Sequence, residues 1–521
     1  MYMLVKRLAV GFDKLQIPTN GAIMVFSPNH IFVPAVYLAS AGSKRAFTGA
    51  NPIYTANEVS YQMKILDVAL VLIHPSLLEV GLAAAKQAGV PNDRVFTFSG
   101  EQQTSSGDGV RDWRTILASE SEAKNWHWDP LDGVKAQTQV ACINFSSGTT
   151  GLPKGVCITH ANLIANASQA ISIKFVGNKQ GRSEANPGSE TWLAFLPLYH
   201  AYSQLWTINI ASRLGYKVYV MAKFVFEDFL RAIQEYKVND IQAVPPVLVM
   251  LSKRPEVKKY DISSLKHMIV GAAPTSPELQ AEVSRRFNIR IGQGWGMTET
   301  TCAGIMLPFS EEDDGSGTIG VLMANTEAKL VDDEGKEVTA EGERGELCVR
   351  GPQILKEYWK NETATKESKE PDGWFHSGDV AIWKKDVTGR QVWWIVDRKK
   401  ELIKVNGLQV APAELEALLL ECDDVADAAV VGTRFEEYGD EWPRAYVVLQ
   451  DDAKSRNVGE KDIQKFVESR VAKHKWLVGG VKFVDEVPKL ASGKITRKVV
   501  KEMAKKDAEE MRKSQTVKAR L

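Results

Sequence analysis

One rhythm constrains this chain more than any other feature. Through most of its first 400 residues, short apolar runs alternate with amphipathic stretches. "GAIMVFSPN" reads as strand and turn, "VALVLIHPS" as a buried strand, and "KVYVMAKF" and "KHMIVGAAP" follow the same plan. Between them lie segments such as "SPELQAEVSRRF", apolar at helical spacing. A strand apolar on both faces must be covered on both, and alternation with helices supplies that cover. The expected fold class is therefore α/β, built on parallel sheets.

The texture changes twice. Around residues 315 to 350 come short strands with Gly turns, "GTIGVLM", "TEAKLVDDEG" and "GELCVRG", which read as a small antiparallel or barrel-like subdomain. After "WWIVDRKKELIK" the chain becomes a compact α+β unit. The helix "APAELEALLLEC" has Pro412 early and Glu414 and Glu416 near its positive end. The strands "VADAAVVGTRF" and "WPRAYVVLQ", the helix "KDIQKFVESRVAKHKW" and the strand "VKFVDEV" follow. From Val499 a Lys- and Glu-rich helix fades into a polar end.

Composition removes several functions. The 65 basic and 65 acidic residues cancel, so no global field favours nucleic acid. No apolar run is long enough for a membrane span, and Lys6, Arg7, Asp13 and Lys14 interrupt any signal-peptide core. The five cysteines, Cys142, Cys157, Cys302, Cys348 and Cys422, are scattered without metal-ligand spacing and read as free, buried thiols.

Five stretches carry chemistry. "NFSSGTTGLPKG" holds Ser146, Ser147, Gly148, Thr149, Thr150, Gly151 and Lys154, a hydroxyl-rich Gly loop suited to phosphate that lacks the Walker A ending. In "GQGWGMTET", Trp295 offers a flat face for a base, Thr298 a hydroxyl for an anion and Glu299 a hard ligand for Mg²⁺. "GWFHSGDVA" presents Asp379 after Gly378, where a carboxylate can accept ribose hydroxyls. "VDRKKELIKVNG" carries Asp397, Arg398, Lys400 and Lys404 at the domain change, and "PKLASGKITRK" presents Lys494 on a Gly-Ser loop read as exposed.

In this order, and over nearly the whole chain, these motifs resemble the adenylate-forming superfamily of acyl-CoA synthetases, 4-coumarate–CoA ligases, luciferases and peptide-synthetase adenylation domains. "LPLYHAYS", "VPPVL", "DGWFHSGD" and "QVAPAELE" place the likeness nearest the 4-coumarate–CoA ligase-like and luciferase-like members. The resemblance implies stacked α/β sheets and a small β-barrel-like part in a large N-terminal domain, residues 1–397. It also implies a hinge at 398–404, a mobile C-terminal domain at 405–498 and a helical tail at 499–521. The implied activity is ATP-dependent joining of a carboxylic acid to coenzyme A through an acyl adenylate, with Mg²⁺. The alternative is a stand-alone enzyme that loads the acyl group onto a separate carrier protein.

The resemblance also implies roles. Ser146 to Gly151 and Lys154 would hold the β,γ-phosphates, while Gly271, Ala272 and Gln293, Gly294 and Trp295 would frame adenine and the acyl floor. Thr298 would meet the α-phosphate, Glu299 the Mg²⁺, and Asp379 with Arg398 the ribose. His200 and Tyr202 would line the carboxylate end of the acyl site. Lys494 would bridge carboxylate and α-phosphate, Lys400 and Lys404 would lie at the hinge and meet the substrate, Lys404 as a catalytic residue, and Lys223, Asn406 and Gly407 would face CoA. Trp295 departs from a commoner Tyr, Ser377 from Thr, and Asn406 from a Lys. Trp206, Cys302 and Ala303 depart from the hydroxycinnamate pattern, so the acid stays open among aryl, arylalkyl, medium-chain and branched kinds. The chain starts later than domains of this kind usually do. Ala519-Arg520-Leu521 matches the small-basic-leucine address read by a peroxisomal import receptor, so a peroxisomal location is expected, with a cytoplasmic one otherwise.

Overall fold

The computed structural model describes residues 1–100, 109–146, 153–175, 190–273, 275–309, 311, 315–399, 401–405, 408–434, 441–490 and 493–518. The side chains of 404, 408, 409 and 511–518 are excepted. Ala519, Arg520 and Leu521 lie outside that set.

Strand Ala22–Phe26 lies parallel between Ala46–Ala50 and Leu70–Ile73 near the middle of an eight-stranded sheet. Its five residues are all buried, because alternate side chains serve opposite layers. Ile23 and Val25 face a core with helices Tyr2–Lys14 and Val33–Gly42. Met24 and Phe26 face helices Ala56–Leu66 and Leu78–Ala88. Antiparallel strands Val140–Ser146, Lys154–Thr159 and Glu357–Tyr358 extend one side of this sheet.

A second, seven-stranded sheet runs parallel through Arg290–Trp295, His267–Val270, Asp240–Ala243, Thr191–Ala194 and Lys217–Val220. Ile305–Met306 and Val321–Leu322 close one edge in antiparallel pairing. The third sheet, from Glu327–Val331 to Gln391–Arg398, has five antiparallel strands, as the Gly-turn texture predicts. The first core joins these layers: Phe47, Leu198, Trp295, Leu330 and Trp393 belong to one buried cluster.

The small unit packs helix Pro412–Glu421 and helix Glu460–Glu468 against strands Val425–Arg434, Glu441–Leu449 and Val481–Phe483. One expectation changes here. The last helix starts at Arg497, and Val500 and Ala504 are buried against Ala429, Val431, Tyr446 and Val487. Asp507 accepts from Arg444 Nη2 and Tyr446 Oη, each at 2.8 Å, and from Lys482 Nζ at 2.6 Å. The helix read as a tail is thus part of the small unit's second core. Its polar composition hid one apolar stripe. All five cysteines are free and buried, and no helix is long and apolar enough to cross a membrane among the described residues.

Candidate active site

A cleft opens where the parallel strands of the second sheet end, the place at which α/β sheets hold ligands. Strand His267–Val270 runs into Gly271 and Ala272, and strand Arg290–Trp295 brings Gly294 and Trp295 to the same wall. Ala272 holds φ +73°, a left-handed backbone that costs an L residue about 1 kcal/mol or more and clusters at functional sites. Thr298 follows on the turn Thr298–Thr300. The opposite wall comes from Ala201–Ser203 and the π-helix Gln204–Ile210, which carry Tyr202 and Trp206. A π-helix recurs at functional sites. The cleft holds about 550 Å³ of space, solvent at its mouth included, which suits a small-molecule ligand. Gly296 is locked into its wall, since a Cβ there would lie 1.7 Å from the Cys302 carbonyl oxygen. Gly271 has room: its Cβ would meet Tyr202 Cζ at 3.6 Å.

Lys494 reaches this cleft from the small unit, which corrects its reading as an exposed residue. Gly493, at φ +80°, sits where a Cβ would lie 3.1 Å from Val244 Cγ2. Leu490 N donates to Lys494 O at 2.8 Å and closes the loop. Burial and the nearby Arg398 push the Lys494 pKa down, while Asp379, Glu299 and Glu401 oppose them. Its ammonium makes no hydrogen bond among the described residues.

His200 also lines the cleft. Its Nδ1 accepts from Tyr202 N at 3.2 Å, which assigns the proton to Nε2. Burial, aided by Lys494, lowers its pKa to about 3, so the ring is a neutral donor at ordinary pH. Tyr202 Oη donates to Ile269 O at 3.0 Å. Trp206 is 1% exposed and packs at a tilt against Trp192 and Phe309, with ring centroids 6.2 and 6.1 Å away. With Cys302, Ala303 and Met306 it makes an apolar inner wall.

Sheet register sets Asp379 opposite Arg398, and their Oδ1 and Nε lie 3.4 Å apart. The indole Nε1 of Trp295 donates to Asp379 Oδ2 at 2.8 Å. The Trp at this position thus does more than offer a face, because it orients the carboxylate. Burial raises the Asp379 pKa, against Arg398, Trp295 and Lys494.

At the other end, antiparallel register puts Ser146 opposite Lys154. Ser147, Gly148, Thr149, Thr150 and Gly151, between them, lie outside the described residues. Ser146 Oγ is buried with no hydrogen-bond partner among the described residues. Lys154 Nζ lies 5.1 Å from the Tyr358 ring centre, and Tyr358 Oη donates to Glu299 Oε1 at 2.9 Å. Tyr358 carried no motif and was missed by sequence reasoning. Among the described residues no three His, Cys, Asp or Glu side chains gather as a metal cage.

Two expected residues stand away from the cleft. Gln293 spends its amide on Gln280 Oε1 at 2.7 Å and Thr275 O at 3.2 Å. Lys223 is exposed beyond strand Lys217–Val220. Lys400, Asn406 and Gly407 lie outside the described residues, as does the side chain of Lys404 in strand Ile403–Val405.

From Arg398 an alternating chain of charge enters the small unit. Arg398 Nη1 lies 3.8 Å from Glu401 Oε1, Glu401 Oε2 is 2.6 Å from Arg497 Nε, and Arg497 Nη2 is 2.8 Å from Glu416 Oε2. Arg497 stands 96 and 81 residues from those two acids, a separation no local pattern reveals. Beside this chain Asp397, 3% exposed, accepts from Arg398 N at 2.6 Å and Ala413 N at 3.3 Å.

Burial pushes Asp397 up to about 7, although those N–H groups and Arg497 pull the other way. In the unfolded chain an Asp titrates near 3.9. Between about pH 4 and 7 the folded state therefore keeps a proton that the unfolded state has lost. The stability this contributes is full below about pH 4 and is lost as pH rises through about 7. Asp397→Asn, which cannot ionise, should flatten that part of the melting-temperature profile. An unchanged slope in thermal melts across this range would refute the assignment.

The chain is similar to known proteins over nearly its whole length. The family profile "AMP-binding enzyme" matches residues 1–359, and "AMP-binding enzyme C-terminal domain" matches residues 414–494. An acyl-CoA synthetase of Alternaria alternata is 35% identical over 517 residues, covering 96% of this chain and 84% of that protein. The luciferin 4-monooxygenase of Luciola mingrelica is 39% identical over 516 residues, covering 97% and 89%. The solved anthranilate CoA ligase AuaEII, in complex with anthranoyl-AMP, superposes with TM-score 0.82 at 20% identity, over 97% of this chain and 92% of that one, and so shares the fold. Matched in both its large and its small unit, the chain belongs to the AMP-binding enzyme family, the adenylate-forming enzymes.

Proposed function

We propose that this protein is an ATP-dependent carboxylic acid–CoA ligase that forms an acyl-CoA through an acyl adenylate. The observation that carries the reading is the meeting of Lys494, from the small unit, with His200 and Thr298 in one cleft, within the field of the Asp379–Arg398 pair. A carboxylate attacking the α-phosphate of ATP faces like-charge repulsion. The Lys494 ammonium offsets it where both groups meet, and the neutral His200 Nε2–H orients the carboxylate. The acid's oxygen bonds to the α-phosphorus as the bond to the β,γ-phosphates breaks, and pyrophosphate leaves with that electron pair. The CoA thiol, its proton given up to solvent, then attacks the acyl carbon, and AMP leaves with the electron pair of the acyl–oxygen bond.

Asp379 and Arg398 would hold the ribose, Gly294 and Trp295 the base, and Ser146 with Lys154 the outer phosphates. The single carboxylate Glu299, without a cage among the described residues, suits a Mg²⁺ that arrives on nucleotide phosphates. When bound, that ion would neutralise phosphate charge. Pyrophosphate release over a panel of carboxylic acids, with and without CoA, tests the reading. Adenylate that accumulates without CoA and turns into a CoA thioester with it supports the ligase. Adenylate that CoA leaves untouched points to carrier loading.

The apolar inner wall favours an acid that is compact and apolar beyond its carboxyl group, with Trp206 as the stop. Trp206→Leu should raise kcat/KM for longer acids relative to short ones by about tenfold or more per methylene admitted. An unchanged preference in competition assays would move the stop elsewhere.

A further inference from the structure

Helix Pro245–Lys253 of the large unit touches the small unit at both ends. At its start, Val244 and Pro246 form the surface on which Gly493 lies, next to Lys494. At its end, Lys253 Nζ donates to Leu420 O at 2.9 Å, Cys422 O at 3.2 Å and Val425 O at 2.6 Å. These carbonyls belong to the last turn of helix Pro412–Glu421 and the segment that leaves it. The end of a helix carries unpaired carbonyls and the negative pole of its dipole. Cys422 is extended and lacks the left-handed cap that commonly serves such carbonyls. An ammonium has three donors, and all three are spent here. Burial pulls the Lys253 pKa down, while the charges of Asp423 and Glu282 oppose that loss.

We propose that Lys253 is a positioning residue that latches the small unit in the pose that places Lys494 in the cleft. The three carbonyls and Gly493 move as one body with Lys494, so a rotation that withdraws Lys494 also breaks the three bonds. The latch favours the adenylate-forming half-reaction and has no part in the second, which needs another approach to the acyl carbon. This inference rests on the two-step reading above.

Lys253→Met keeps the length of the side chain and removes its donors. Adenylate formation, read as ATP–pyrophosphate exchange, should fall at least about tenfold, the loss of even one net charge-assisted hydrogen bond. Thioester formation from supplied acyl-AMP should hold or rise. Lys253→Arg, with charge and several donors, should recover part of the first half-reaction. Trypsin should cut the variant faster than wild type within residues 398–404, at an unchanged melting temperature. Equal loss of both half-reactions, or loss of neither with unchanged proteolysis, would overturn the latch. Wild type that forms no adenylate with any acid would end the two-step reading instead, and the proteolysis comparison would then decide the latch by itself.

Discussion

Lys494→Ala should remove ATP–pyrophosphate exchange while largely sparing the conversion of supplied acyl-AMP and CoA to thioester. On the proposed reading the ammonium stands where substrate carboxylate and α-phosphate meet, and charge builds there in the first transition state only. Deleting one preorganised electrostatic partner in a water-poor site costs roughly 10²- to 10³-fold, and a full positive charge stands at or above that range. The adenylate has already passed that step, so the second half-reaction does not need the side chain. On the two-step reading proposed above, the same small unit turns for the thiol to approach, because one arrangement cannot present both faces of the acyl carbon. Lys404→Ala is expected to harm the thioester step more. Measuring both half-reactions in both variants settles the matter: a parallel loss in Lys494→Ala would remove the alternating account.

The largest expected loss of stability follows from Lys174→Met. Lys174, on helix His160–Phe175, sits 2.9 Å from Glu190 Oε2 and 2.8 Å from Asp240 Oδ2, with side chains 1%, 3% and 0% exposed. Its ammonium also lies 4.3 Å from the Phe309 ring centre and 5.2 Å from that of Trp192. Met fills the same volume but removes the ammonium that two buried carboxylates share. Breaking one buried pair costs about 3–5 kcal/mol, and here a single change breaks two. A fall in melting temperature of about 5 °C or more should follow. Adding Asp240→Asn should restore part of it, since an amide needs no counter-charge. A single variant as stable as wild type would show that the cluster is neutral to folding. The rings around Lys174 also back Trp206, so the damaged variant should lose acid selectivity as well.

The parallel strands were legible because burial on both faces leaves an unbroken apolar run, as in Ala22–Phe26 and Leu70–Ile73. The stretches that gather at the cleft were legible because Gly, Ser and Thr are dense there and the stretches come in a fixed order. What stayed hidden depends on distant partners. Lys494 reads as a surface residue until Gly493 is seen lying on Val244. Lys253 ends an ordinary amphipathic helix, and only the fold brings the carbonyls of Leu420, Cys422 and Val425 to it. Glu416 reads as an N-terminal helix charge, yet it is 7% exposed, accepts from Val430 N at 2.7 Å and pairs with Arg497. The last helix reads as solvated because its apolar residues are few, although those few close a core. The π-helix at Gln204–Ile210 leaves no mark in the spacing of its apolar residues.

Two of the glycines of the cleft wall, Gly271 and Gly296, divide it into ground that can drift and ground that cannot. No side chain fits at Gly296, where even a methyl group would run into the Cys302 backbone at 1.7 Å. A library that varies this position spends its members on misfolded protein. Gly271 accepts a methyl at ordinary contact distance from Tyr202, 3.6 Å, so Ala there narrows the floor without moving the chain. On the proposed reading, retailoring this enzyme toward another acid is a problem with few free coordinates: Trp206, Gly271, Cys302 and Ala303. A lineage that changed its acid by small steps would leave its traces at those positions and keep position 296 blank.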